Sequence, residues 1–115
     1  MLRRILEEIL FLEKISAIAV IGRDGFVVEI VHRHPVDADA LGSFASSTMQ
    51  FFEQATIPMN RGPVKQMVFE YDDGAIILTP ASSDEVIAVI SETCSATGRV
   101  LFVIERNRDR VVAVL

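Results

Sequence analysis

Residues 37–57 read DADALGSFASSTMQFFEQATI. Leu41, Phe44, Ala45, Thr48, Phe52 and Ala55 recur at three- and four-residue steps, the period of one helix face. Asp37 or Asp39 can accept the free amides of the first turn. Gly42, Ser43, Ser46 and Ser47 keep a second side slim, and Met49 and Phe51 add apolar surface off the main stripe. A helix built this way has two things to pack against.

The flanks sort around it. Leu2, Ile5, Leu6, Ile9, Leu10 and Leu12 make an amphipathic first helix, with Arg3–Glu7 and Arg4–Glu8 spaced to pair on its wet side. ISAIAVIG (15–22) reads as a strand with Ile15, Ala17, Ala19 and Ile21 on one face and Ile18 and Val20 on the other, so it is covered on both sides. Arg23-Asp24-Gly25 is a tight turn, and FVVEIV (26–31) returns as the second strand. After a loop over Pro58–Pro63, VKQMVFEY (64–71) alternates: Met67, Phe69 and Tyr71 face one way and Val64, Gln66, Val68 and Glu70 the other. Asp72-Asp73-Gly74 is a hairpin signal. AIILTP (75–80) and VIAVISE (86–92) are the fourth and fifth strands. Ser95 or Thr97 can cap a last helix that buries Leu101, Ile104, Val111, Val112 and Leu115.

The order is α-β-β-α-β-β-β-α, an α/β (α+β) single domain over residues 1–115. Short links favour antiparallel pairing. The terminal helices are expected on one face of a five-stranded sheet and the central helix alone on the other. A helix is about 10 Å wide, whereas five strands at roughly 4.8 Å make a sheet of about 20–24 Å. One helix therefore covers half of its face, and a second copy of the same helix is the simplest cover. A long third strand without edge protection also invites a mate. Both features predict a two-fold homodimer. On this reading Ser46→Arg wedges a charge into the slim face and gives a monomer with its fold kept.

The totals agree with an independent core, since a chain of 115 residues buries roughly 65–70% of its unfolded surface. The net charge of −5 argues against nucleic acid and against an acidic membrane surface. The single cysteine, Cys94, has no internal partner, which points to a reducing cytoplasm. No targeting segment is expected, because Glu7, Glu8 and Glu13 interrupt the apolar start. The longest uncharged apolar run, residues 15–22, is far short of the ~20 that span a bilayer.

Four segments, VIGRDGFVV, the alanine- and serine-rich central helix, VKQMVFEYDDGAIILTP and AVISETCSATGRVLFVIER, follow in this order and spacing. As a set they resemble the roadblock family of the dynein light chain superfamily, from about Ile15 to Val111, and look most like its bacterial members. The resemblance implies a five-stranded antiparallel sheet between the central helix and the two terminal helices. It implies homodimers joined through the central helix and third strand, here Gly42, Ser43, Ser46 and Met49 with Val64, Gln66 and Val68. It also implies that the dimer binds a small Ras-like GTPase near its switch regions and stimulates GTP hydrolysis without supplying a catalytic side chain. Other members are scaffolds or partners of a sensor kinase in a GTPase operon. Gln50, Glu53 and Gln54, polar residues late in the helix, are the candidate GTPase contacts, with Arg61 beyond them. The chain departs from the commonest family pattern at Thr93-Cys94, where acidic residues are frequent.

The remaining constellations carry no chemistry. His32 and His34 lack a third ligand and read as loop histidines, so no metal is expected. Cys94 has no assignable base. Asp24, Asp72 and Asp73 adjoin hairpin glycines. Ser43, Ser46 and Ser47 lie mid-helix without a nucleophile elbow, and Glu105 and Asp109 dilute the Arg106–Arg110 run. No phosphate-cradling Gly-x-x-x-x-Gly-Lys-Ser/Thr loop exists, so the chain is not itself a GTPase. Arg61 stays open, since an arginine supplied in trans is worth about 10³–10⁵ in rate, although the resemblance argues against such a finger. No cofactor and no enzymatic activity are expected.

Overall fold

The computed structural model describes residues 1–115. The elements are α1 (Leu2–Leu10), β1 (Ile15–Gly22), β2 (Val27–His32), α2 (Ala38–Ala55), β3 (Met67–Tyr71), β4 (Gly74–Pro80), β5 (Glu85–Ser91) and α3 (Thr97–Val112). Short 3-10 turns occupy Ile57–Met59 and Cys94–Ala96. Every strand pair is antiparallel, in the spatial order β2-β1-β5-β4-β3.

The central strands β1 and β5 are almost wholly buried, as their two apolar faces require. Leu6, Ile9, Val100 and Ile104 of α1 and α3 join Ile18, Val20, Ile77, Ile87 and Val89 in a core of 16 buried residues on one face. On the other face Leu41, Ala45 and Met49 of α2 meet Ala19, Ile21, Leu78, Val86 and Ala88 in a core of only eight. The smaller core leaves Met67, Phe69, Ile76 and Ile90 half-buried around it, which is the coverage deficit that the width of one helix predicts.

Four local expectations are corrected. Ile15 belongs to the terminal-helix core with Ile18 and Val20, not with Ala19 and Ile21, because the β1–β5 register shifts between Ile15 and Ala17 and reverses its side. The first helix stops at Leu10, leaving Phe11 and Leu12 exposed. Arg33 Nη2 donates to the Leu10 carbonyl at 2.9 Å and satisfies that end of the helix. β3 begins at Met67, so Val64 and Gln66 lie outside the ladder. In the Met67–Leu78 register the next partners would be Thr79 and Pro80, and Pro80 has no N–H to donate. Neither Ser95 nor Thr97 caps α3: Ala96 holds that position, while the Ser95 hydroxyl bonds to that of Thr93 at 3.1 Å. Asp37 does cap α2, accepting from the Ala40 amide at 3.0 Å.

Candidate functional site: the α2 face and the β3 edge

The slim side of α2 serves the chain itself. The tip of the β1–β2 hairpin, where Gly25 adopts φ 93°, lies against it. A Cβ at Gly42 would collide with the Gly25 carbonyl oxygen. One turn on, the Ser46 hydroxyl donates to the Arg23 carbonyl at 2.6 Å. Two turns further on, Arg23 Nη1 and the Glu53 carboxylate form an ion pair with each side chain 30% exposed. Met49 is 1% exposed and lies in the sheet-facing core. Gly42, Ser46 and Met49 therefore each have a packing role within the chain itself, and the hairpin tip fills room that the small residues leave. Glu53 is likewise engaged within the chain, in a pair that is still partly exposed.

What α2 shows to solvent is its C-terminal half. Phe51 is 64% exposed, and Phe52, expected in the core stripe, is also exposed. The two rings meet edge to face with centroids 5.1 Å apart, and Phe52 reaches Phe69 of β3 at 6.2 Å. Ser43, Ser47, Gln50, Gln54 and Ala55 are exposed beside them. Thr56 Oγ1 accepts the role of a C-terminal brake, donating to the Phe52 carbonyl at 2.8 Å. Ile57 and Met59 then stand exposed on either side of Pro58. Arg61 is exposed between Asn60 and Gly62, both at positive φ, and forms no ion pair. Two large apolar residues flanking Pro58 are the signal in the sequence for this surface.

The apolar patch runs into the β3 edge. β3 pairs only with β4, in unbroken register from Met67 to Tyr71, and Val68 is exposed along it. Val64 is half-buried and Gln66 exposed just before the strand. The opposite edge, β2, is interrupted: its register against β1 shifts between Val20 and Ile21. A bulge of this kind blunts an edge, and a regular strand leaves its amides and carbonyls open to a mate.

No three His, Cys, Asp or Glu side chains are grouped so as to hold a metal ion. His34 Nε2 is 3.6 Å from a Glu92 carboxylate oxygen, and His32 is exposed apart from it. Cys94 Sγ donates to the carbonyls of Tyr71 at 2.8 Å and Gly74 at 3.2 Å, tying the start of α3 to the β3–β4 hairpin. No helix is long and apolar enough to cross a membrane.

A family profile describing the Roadblock/LC7 domain matches residues 1–91. The chain belongs to the Roadblock/LC7 family. Among curated relatives, the uncharacterized protein MJ0310 of Methanocaldococcus jannaschii is 25% identical over 114 residues, covering 99% of each chain. Among solved structures, MglB in a tetrameric arrangement superposes with a TM-score of 0.90 at 15% identity, over 98% of this chain and 86% of that one. Myxococcus xanthus MglB superposes at 0.89 with 12% identity, over 98% and 93%. Likeness at such identities establishes the shared roadblock fold, α-β-β-α-β-β-β-α around one antiparallel sheet.

Proposed function

We propose that this roadblock chain forms a two-fold homodimer and that the dimer binds a small Ras-like GTPase, stimulating its GTP hydrolysis without contributing a catalytic side chain. The observation that carries the reading is the exposed Phe51–Phe52 pair, whose second ring reaches Phe69 of β3, beside a regular edge strand that pairs on one side only. Two copies of β3 would extend the sheet, and two copies of α2 would cover the half of the face that one helix leaves open. Ser43, Gln66 and Val68, which are exposed, supply the contact together with Val64, while Gly42, Ser46 and Met49 already pack within the chain. Gln50, Gln54 and Arg61 are the partner contacts, since all three side chains are exposed and uncommitted within the chain. A long Gln or Arg side chain can reach a polar loop from there without first breaking an internal bond.

The oligomer is tested by sizing with light scattering at micromolar concentration, where a monomer would end the dimer reading. Function is tested by single-turnover GTP hydrolysis by the Ras-like GTPase encoded nearest this gene, with and without the protein. Acceleration is expected. Binding without acceleration would instead make the chain an assembly or sensor-kinase partner in a GTPase-linked system, and absence of binding would remove the GTPase from the reading.

A further inference from the structure

The edge of the sheet away from β3 carries a second, differently built surface. Gly22 ends β1 and pairs with Glu85 of β5. On its other side the Gly22 amide donates to the Phe26 carbonyl at 2.8 Å. Phe26, just before β2, thus lines up with Gly22 and Glu85 in a row with no side chain at its centre. Gly22 lies two residues beyond Val20, on the face that α1 and α3 cover further down. A cleft of about 390 Å³ is lined here by Gly22, Phe26 and Val28. Phe26 is 76% exposed and Val28 is 55% exposed. Asp24, Asp84 and Glu85 line the same cleft. The Asp24 carboxylate accepts from the Phe26 amide and that of Glu85 from the Ser82 hydroxyl, but none of the three carboxylates is in an ion pair. The cleft's one cation, Arg23, is committed to Glu53.

We propose that this cleft is a docking site for a basic segment of another protein, holding one arginine or lysine side chain over the Phe26 ring with its cationic end against Asp24, Asp84 and Glu85. Long cationic side chains lay their aliphatic stems on apolar surface and keep the charge at the rim. A cation over an exposed aromatic face gains a further attraction. An apolar wall with three unneutralised carboxylates suits such a residue and repels an acidic one. The bulge that blunts β2 argues against strand addition here, so the recognition runs through side chains. The proposal does not rest on the dimer or GTPase reading, because none of Asp24, Phe26, Val28, Asp84 and Glu85 is among the residues assigned to those contacts.

The test uses the full chain and a fluorescein-labelled octapeptide of alternating arginine and leucine, with its glutamate–leucine counterpart as control. The arginine peptide is expected to bind and the glutamate peptide not to. Amide NMR shifts are expected at Gly22, Phe26, Val28 and Glu85. Phe26→Ser and Asp84→Asn, both at exposed positions, are each expected to weaken binding by about tenfold, the loss of one contact to a charged group, and added salt is expected to weaken it further. Equal binding of the two peptides would overturn the proposal, as would shifts confined to α2 or the β3 edge. So would unchanged affinity in both variants, or a Phe26→Ser variant that alters the oligomeric state, which would make this face a contact between copies.

Discussion

Gly42 of α2 faces the carbonyl of Gly25 so closely that a methyl group at Gly42 would meet that oxygen. The obstacle is backbone at a tight turn, which cannot rotate away as a side chain would. Gly42→Ala is therefore expected to destabilise the fold. Alanine in a helix is favoured over glycine by about 1 kcal/mol, but forcing atoms into a filled space costs about 1–3 kcal/mol. The net effect should be a lower urea midpoint with an unchanged slope. A raised midpoint would mean that the hairpin does not rest on α2.

Ser46→Arg follows the same contact. Instead of releasing a folded monomer, it removes the hydroxyl bond to the Arg23 carbonyl and drives a long side chain under the hairpin. A stability loss on the order of 1–3 kcal/mol is expected, read by thermal melting. Sizing of the protein that remains folded should show the oligomeric state unchanged.

Phe51→Lys and Val68→Lys reverse that pattern. Both side chains are exposed in the single chain, so each substitution should leave monomer stability within about 0.5 kcal/mol. Each is expected to shift the dimer toward monomer in light scattering, because a desolvated lysine would sit inside the paired surface. An unchanged mass for both variants would move the interface elsewhere.

The ordered elements were legible because burial on both faces leaves the middles of β1 and β5 without polar positions, and because Asp-Gly turn signals bound the β1–β2 and β3–β4 hairpins. Local offsets were not legible. Ile15 changes face through a single register shift, and nothing in the alternation of ISAIAVIG marks it. The direction of a small-residue stripe was also hidden: Gly42 and Ser46 accept a backbone within about a van der Waals contact, and composition does not say whether that backbone belongs to the same chain. Glu53 looked free for the same reason, since its partner Arg23 is 30 residues away in sequence.

Acid should weaken the contact between α1 and α3. The Arg110 guanidinium donates to Glu8 at 2.6 Å, and this hydrogen bond, with the charges of Arg110 and Arg4, holds the Glu8 carboxyl below its usual 4.5 against the opposing effect of desolvation. A group with a depressed folded pKa stabilises the fold above its unfolded value, and that contribution is lost as pH falls through the folded value. The melting temperature of the unaltered chain should therefore fall more steeply below about pH 4.3 than that of Glu8→Gln, with the two curves converging in stronger acid. Parallel curves across that range would show that the pair contributes nothing.

The Arg23–Glu53 pair decides whether Glu53 serves the fold or a partner. Both side chains are 30% exposed, so solvent screens the attraction, and a double-mutant cycle of Arg23→Met and Glu53→Gln should give a coupling of about 1 kcal/mol or less. Glu53→Gln alone is then expected to lower stability slightly and to leave GTPase affinity unchanged, whereas Gln54→Ala, at an exposed and uncommitted position, is expected to weaken GTPase binding with no effect on melting. The two measurements separate the roles because a hairpin clamp moves the melt and a contact residue moves the affinity. If Glu53→Gln weakens GTPase binding as strongly as Gln54→Ala while its melt is unmoved, Glu53 leaves Arg23 when the partner arrives, and the hairpin is part of the binding surface.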